Sequence, residues 1–514
     1  MTTQNVDAVV VVSDIDERTP LLHHHSSTSS PSPSPSSSRS SPKKPRTPTP
    51  LPRLQIAIVL VLQVCEPLAS QSILPYINQL VGSLDITGGD PKKIGYYAGL
   101  IESLFFATEA LCVLQWSRLS DHVGRKPVLL IGLAGTAISM IFFGLSQTFW
   151  GLVLSRCLCG LLNGNIGVMK SVMGELTDSS NRAEGFALMP VVWATGATFG
   201  PLLGGTLSKP ADRFPRYFDN SFWREYPYLL PCVAAASFIF VAFVVTACVF
   251  KETVPKRKSI PRRSASTASD HTMVESSPSD EDDKEEEAGP LPLRQLLVYP
   301  VILSVSNYVT LAFLNIGLIS LLPLFFSMPL SIGGLGFDPP TIGYIMGAYG
   351  AGTGIYQALY FSKIIKKLGP RLVFVSGMAT FMPVFVLIPV MSVLARWNGG
   401  VYWVVWVLIG VVMSMMAWMD MAYGCIFMYV TGSAPNKRSL GATNGLSQTS
   451  VSVARAIGPA LFTSLFSFSL EEKLMGGYAV YVILFVMSVA GMGVARMLPV
   501  RVWDDCEEEG EEEA

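Results

Sequence analysis

A chain of 514 residues that is 50% hydrophobic and only 15% charged, with a mean hydropathy of +0.42, is too apolar for an ordinary soluble enzyme, which carries about a quarter charged residues. The formal net charge of −1 gives a nucleic-acid partner no global electrostatic support. Eight cysteines, most of them inside apolar runs and none in a paired metal spacing, exclude a disulfide scaffold and indicate no metal site. The composition is that of a polytopic membrane protein.

In chain order, residues 1–53 form a polar head whose Ser/Pro-dominated stretch 26–50 is expected to be disordered. No apolar run in this head has the length of a signal peptide. Within it, Glu17-Arg18-Thr19-Pro20-Leu21-Leu22 fits an acidic dileucine pattern. Glu17, Leu21 and Leu22 would be read by sorting adaptors toward a vacuole or lysosome, although such a hexamer also arises by chance. Ser41, before Pro42, and Ser279, before Asp280, are open to kinases.

A helix crossing a hydrocarbon core of about 30 Å takes about 20 mostly apolar residues. Such stretches fall at 54–77, 94–116, 127–147, 150–173, 186–208 and 229–250, then at 299–327, 341–362, 372–394, 401–425, 440–468 and 478–498. The expected organisation is therefore a cytosolic tail 1–53, six spans in 54–250, a linker 251–298, six spans in 299–498 and an acidic tail 499–514. The linker is too charged and Ser-rich to bury a core. Lys and Arg gather in the connections on the side of the N-terminus, which predicts that both termini and the linker are cytosolic. The 209–228 loop runs against that pattern: it carries Lys209, Arg213, Arg216 and Arg224 on the outer side, with Asp212, Asp219 and Glu225.

The two halves repeat each other. Gly124-Arg125-Lys126-Pro127 with Gly132 and Ala134 is echoed by Gly369-Pro370-Arg371-Leu372 with Gly377 and Ala379. Gly200-Pro201 in the fifth span is echoed by Gly458-Pro459 in the eleventh. An offset of six spans preserves orientation, so the repeat is parallel, with its axis along the membrane normal. Such a repeat places a substrate cavity between two bundles near the midplane.

Several charges lie at membrane depth. Gln63, Glu66 and Ser70 share one stripe of the first span. A carboxylate there costs several kcal/mol unless it is paired, protonated or facing water, so Glu66 fits a reversible proton site or substrate contact, or a neutral carboxyl kept for packing. Glu102 and Glu109 share a face of the second span about 10 Å apart along the axis. They could relay protons or bind a cation, form a polar seam toward the other bundle, or lie near helix ends. Arg156 cannot lose its charge and needs an anion or carbonyl partner. Asp420, between Trp418 and Tyr423, could ion-pair, line the path or mark a helix end. In the eleventh span Asn444, Gln448, Ser452 and Arg455 make a polar stripe opposite Leu446, Val451 and Val453. Trp193, Phe199, Tyr344 and Tyr349 could pad an organic pocket or simply pack.

The connection 117–127 reads as a gate. Gly124 permits its tight turn, and Asp121 suits the positive end of a helix from the other bundle. Arg125 and Lys126 would engage cytosolic carboxylates or lipid headgroups, each contact worth roughly 0.3–2 kcal/mol. Gly200-Pro201 and Gly204-Gly205 would break or bend the fifth helix and let a neighbour pack closely.

Trp116-Ser117-Arg118-Leu119-Ser120-Asp121-His122-Val123-Gly124-Arg125-Lys126-Pro127 resembles the major facilitator superfamily signature after helix 2. Gly196-x-x-x-Gly200-Pro201-x-x-Gly204-Gly205 is similar to the helix 5 antiporter motif of twelve-span drug:proton antiporters, and Arg156-x-x-x-Gly160 to a third motif of that group. Tyr226-Pro227-Tyr228-Leu229-Leu230-Pro231-Cys232 and Arg438-x-x-Gly441-Ala442-x-Asn444-Gly445 resemble the zinc-induced-facilitator-like and tetracycline-resistance-like branch in its fungal form. Ser117 departs from the usual glycine, and Lys251-Glu252-Thr253-Val254 stands where plant members carry a Thr-Leu-His ending.

The resemblance implies an all-α membrane protein of two pseudo-symmetric six-helix bundles, the major facilitator fold. It also implies a role for Arg156 in proton coupling. The function so implied is secondary transport, by proton-coupled antiport, of a small organic molecule out of the cytosol or into a vacuole. The proton gradient supplies the energy, no cofactor is needed, and the chain would work as a monomer in a lipid bilayer. No nucleotide-binding Gly-rich loop is present, and no catalytic constellation indicates an enzyme. The alternatives are uptake of a metabolite or metal chelate, and a sensor or scaffold that does not transport. The membrane would be vacuolar or, alternatively, the plasma membrane.

Overall fold

The computed structural model describes residues 52–177, 189–253, 293–435, 440–500 and 502–503. Among them, twelve long helical segments follow one another. In the first half they are α1 (Arg53–Ile73), α2 (Ile94–Val123), α3 (Arg125–Leu145), α4 (Phe149–Leu162, resuming as Asn165–Leu176), α5 (Met189–Leu207) and α6 (Leu229–Val249). In the second they are α7 (Tyr299–Ser327), α8 (Pro339–Leu368), α9 (Pro370–Ala379, resuming as Phe381–Trp397), α10 (Trp403–Gly432), α11 (Leu440–Glu471) and α12 (Ala479–Ala495). Nine are long and apolar enough to cross a membrane; α12, α5 and α8 complete the set.

The expected spans coincide with these helices to within a few residues at most ends, while α2, α8 and α10 run six or seven residues past their expected ends; two further differences have physical causes. The first span ends at Ile73 and the chain turns through Leu74-Pro75-Tyr76, where Pro75 has no backbone N–H to continue the α1 ladder. The fourth span is interrupted at Asn163-Gly164. A Cβ at Gly164 would collide with the Trp116 side chain, and the Trp116 indole donates to the Leu161 carbonyl at 2.7 Å, so α2 occupies the gap in α4. Pro201, expected to break or bend α5, sits inside an uninterrupted helix.

The helix ends gather at two faces. At one, called the Gly124 face, Gln55 exchanges hydrogen bonds with the Val249 carbonyl and the Lys251 N–H, and Lys126 Nζ reaches the Phe250 carbonyl at 2.9 Å. At the opposite, far face, the Lys209 N–H donates to Pro227 at 2.8 Å and Gln147 donates to Glu225 at 3.2 Å. The loop that ran against the charge pattern pairs part of its positive charge, once within itself and once with the second half. Arg224 pairs with Asp219 at 2.5 Å, and Arg213 with Asp338 at 3.4 Å.

Two hydrophobic cores form. One is built from residues of 56–250, including Tyr76, Phe105's neighbour Ile101, Phe143 and Ile239. The other is built from 303–502, with Phe326, Phe374, Phe385 and Phe462, and takes Leu74 from the first half. Between the halves, α2 packs on α11 and α5 on α8. The described hydrogen bonds between the halves run from mid-depth to the far face. Tyr96 donates to Glu471 at 3.0 Å, Ser320 to Glu102 at 2.9 Å, and the Ala460 N–H to Ser103 at 2.8 Å.

The seams are close because they are lined with glycine. A Cβ on Gly343 would stand 2.5 Å from the Pro201 carbonyl oxygen, and one on Gly99 would stand 2.7 Å from that of Pro459. Within the first half, Gly196, Gly200 and Gly204 face α1 at Pro67, Gln71 and Ser72. At Gly204 a Cβ would fall on the Ser72 carbonyl oxygen. Gly204→Val should therefore lower the Tm of the detergent-solubilised protein by several degrees, overpacking costing about 1–3 kcal/mol. Gly410→Val, where nothing lies within 4 Å of the added carbon, should leave Tm unchanged.

Candidate functional site

On α2, Glu102, Phe105 and Glu109 recur at i, i+3 and i+7 and share one face. Both carboxylates lie well inside the helix rather than at its ends. Arg156 of α4 stacks its guanidinium over the Phe105 ring at 4.5 Å and is only 5% exposed. It interacts electrostatically with Glu102 and Glu109, while its Nε finds no hydrogen-bond partner among the described residues. A permanent charge so buried needs compensation, and ring and carboxylates supply it. Gly160, one turn beyond Arg156, makes the approach possible, since a Cβ there would strike Thr108 and the Phe105 carbonyl. The break in α4 aims Asn163, whose Nδ2 donates to Glu109 at 3.1 Å.

From the second half, Ser320 of α7 donates to Glu102. Arg455 of α11 interacts electrostatically with Glu66 and Glu109, and also with Tyr308 and Tyr423. Tyr423 in turn interacts with Asp420, which accepts a hydrogen bond from the Tyr349 hydroxyl. Asp420 lies in the middle of α10 and not at its end. Glu66, Glu102, Glu109, Arg156, Arg455 and Asp420 are thus linked, through electrostatic interactions and the hydrogen bonds of Ser320 and Tyr349, in one group that draws on both halves.

The other expected residues are more dispersed. Gln63 is half-buried, with its Oε1 unpartnered among the described residues. Along the α11 stripe, Asn444 is exposed while Gln448 and Arg455 are half-buried. On the opposite side of that helix, Val451 is buried and Val453 is 49% exposed. Of the aromatics, Tyr349 joins the site. Trp193, Phe199 and Tyr344 are exposed on helix surfaces and line neither of the two described grooves, which lie between α9 and α10 and among α7, α11 and α12. Glu17, Leu21 and Leu22 lie outside the described residues, as does the side chain of Asp121.

The 117–127 connection binds its own half. Gly124 adopts φ +110°, a conformation that favours glycine, and its missing side chain admits Glu252. That carboxylate accepts from the backbone N–H groups of Arg125 at 2.8 Å and Lys126 at 3.1 Å. It caps the positive N-terminus of α3. The Arg125 guanidinium reaches Glu175 at 2.8 Å and Ser120 at 2.5 Å, and Thr253 donates to the other Glu175 oxygen at 2.5 Å. Arg125 does meet carboxylates as expected, Glu175 of α4 through its side chain and Glu252, at the start of the linker, through its backbone N–H. Glu175 and Glu252 were not singled out by sequence; Glu252 was noted only as part of a segment that departs from plant relatives. Ser320, Asn163 and Phe105 also went unnoticed, because an uncharged side chain in an apolar helix gives no signal until its neighbour is known.

The helix 5 motif divides between two tasks. Gly196, Gly200 and Gly204 admit α1, whereas Gly205 faces α8, with a would-be Cβ 2.6 Å from the Pro339 carbonyl oxygen. Pro201 turns its own carbonyl to Gly343.

Two pseudo-repeated helical bundles, glycine-lined seams and charges gathered between them define a membrane transporter and not an enzyme. The chain matches the Major Facilitator Superfamily over residues 59–459 and belongs to that family. It is 30% identical over 470 residues to the major facilitator-type transporter psiT2 of Psilocybe cyanescens, covering 85% of this chain and 89% of that one. It is 29% identical to the efflux pump azaK of Aspergillus niger (85% and 86% covered). It is 27% identical to Protein ZINC INDUCED FACILITATOR-LIKE 1 of Arabidopsis thaliana (84% and 88% covered). Among solved structures, the human organic anion transporter MFSD10 shares the fold, with a TM-score of 0.57, 19% identity and coverage of 87% and 100% of the two chains.

Removing the α3 cap tests the local geometry. Glu252→Ala should cost about 1 kcal/mol, as loss of a helix cap does, and lower Tm by a few degrees. Glu252→Gln, which keeps acceptor oxygen but loses charge, should fall between the two.

Proposed function

We propose that this transporter is a proton-coupled antiporter that moves a small organic molecule out of the cytosol by alternating access, with the proton gradient as its energy source and no bound cofactor. The observation that carries the reading is the electrostatic interaction of Glu66 and Glu109, from the first half, with Arg455 from the second. Protonating a carboxylate in that group removes part of its attraction for the arginine, so proton occupancy and the association of the halves are linked. Arg156, held over Phe105, keeps a fixed positive charge beside Glu102 and Glu109 and favours release of a proton once the path is open to a basic compartment. Glu102, bonded to Ser320 across the seam, couples its own charge state to closure at the far face.

With the N-terminus in the cytosol, as the Lys and Arg distribution supports, the Gly124 face is cytosolic. The described arrangement, joined from mid-depth to the far face, is then the state closed toward the lumen or exterior. Export is the direction supported by the helix 5 motif and by the name of the relative azaK. Breaking and remaking the contacts of Tyr96, Glu102, Ser103 and Arg213 would accompany each cycle.

Comparing metabolites in cells with and without the protein identifies the substrate. In proteoliposomes, a pH gradient should then drive that compound, and Glu66→Gln should reduce gradient-driven movement at least tenfold while exchange without a gradient persists. Equal proton dependence in Glu66→Gln refutes the coupling role. The dileucine element favours the vacuolar membrane: a fluorescently tagged Leu21→Ala/Leu22→Ala chain should move to the plasma membrane, and unchanged vacuolar signal rejects the element.

A further inference from the structure

The two seams between the halves repeat each other. Gly99 meets Thr463 and the Pro459 carbonyl; Gly343 meets Gly205 and the Pro201 carbonyl. One turn nearer mid-depth the equivalent pairs are Ser103 with Ala460 and Gly347 with Leu202, and here the repeat breaks. Ser103, 5% exposed, accepts a 2.8 Å hydrogen bond from the Ala460 N–H. Gly347 makes only van der Waals contact, with Leu202 Cγ 2.5 Å from where a Cβ would stand.

Ala460 directly follows Pro459, where α11 lacks a backbone donor and its regular ladder is disturbed. At membrane depth no bulk water supplies the missing partner, so freed backbone groups turn to neighbouring helices. In α11 the neighbour is a side chain of the other half. Parting the α2–α11 seam breaks that bond at this depth, whereas at the equivalent depth the α5–α8 seam parts a glycine from a leucine, its polar contact, Arg213 with Asp338, lying at the far face.

We propose that Ser103 is a positioning residue for the transport cycle: its hydroxyl holds α11 against α2 when the far face is closed, so that the α5–α8 seam opens more readily and the α2–α11 seam acts as the hinge line. The proposal rests on the alternating-access reading but not on protons or on any particular substrate.

It is tested on the full-length protein in nanodiscs, with native cysteines replaced and spin labels placed on exposed far-face positions. Labels at Lys93 and Glu472 report the α2–α11 seam, and labels at Arg216 and Ser331 report the α5–α8 side. Ser103→Ala should raise the ratio of separated to closed Lys93–Glu472 distances by roughly threefold to tenfold, the effect of losing one buried hydrogen bond. The Arg216–Ser331 distances should change less. Thr and Val have nearly the same volume, so Ser103→Thr should retain the native distribution and Ser103→Val should follow Ala, which isolates the hydroxyl from packing. Identical Lys93–Glu472 distributions in Ser103→Thr and Ser103→Val overturn the proposal. Because distances are read without substrate or gradient, loss of proton coupling in the flux assay would leave this result standing, and the reverse also holds.

Discussion

Where Gly99 meets the Pro459 carbonyl and Gly343 meets the Pro201 carbonyl, two helix backbones touch with no side chain between them. Helices in a bilayer are not driven together by water, because lipid tails are as apolar as leucine, so association depends on close packing and on polar contacts that only close packing permits. The seams are therefore the condition for everything else between the halves. Had α2 and α8 been lined with leucine, Ser103 would not reach Ala460 and Glu102 would not reach Ser320. Arg455 would likewise stand too far from Glu66 and Glu109 to feel them.

The charged groups show the same economy of position. Arg156 cannot be discharged, and it is placed over an aromatic ring, with two carboxylates nearby and an interruption in its own helix that brings Asn163 to one of them. Arg125 is almost as buried, 7% exposed against 5%, but its partners are Glu175, Ser120 and the helix cap around Glu252. One arginine lies at mid-depth against Phe105 and the carboxylates of α2, and the other fastens three helix ends at the Gly124 face. The difference lies in what surrounds them and not in the residue type, which is why charge alone could not separate a path residue from a structural clasp.

The helices were largely legible in the sequence, since a span of about 20 apolar residues is a consequence of bilayer thickness and needs no knowledge of neighbours. The interruptions were not: Pro201 passes without breaking α5, while Asn163-Gly164 breaks α4 because Trp116 fills the gap. Glu66, Glu102, Glu109, Arg156 and Arg455 were legible as charges at depth, because such residues are costly wherever they lie. Their partners were not, since Ser320, Asn163, Phe105 and Tyr423 are ordinary helix residues until tertiary packing assigns them. Tyr349 had been weighed as pocket padding and instead holds Asp420. The α11 stripe was read as one face, but Asn444 at one end is exposed, so a helical period identifies a face without saying along how much of its length that face is covered.

The paired seams also bear on how such a chain could arise. If two identical six-helix units associated about a two-fold axis, the contact of a glycine helix on a Gly-Pro helix would occur twice, as every contact in an isologous dimer does. Each substitution would then be felt at both copies, and a serine useful at one would be forced on the other. Joining the units in one chain removes that constraint. Ser103 and Gly347 occupy matching places with different chemistry, as do Ala460 and Leu202, so the covalent link between the halves is what permits an assembly of near-equal parts to have one side unlike the other.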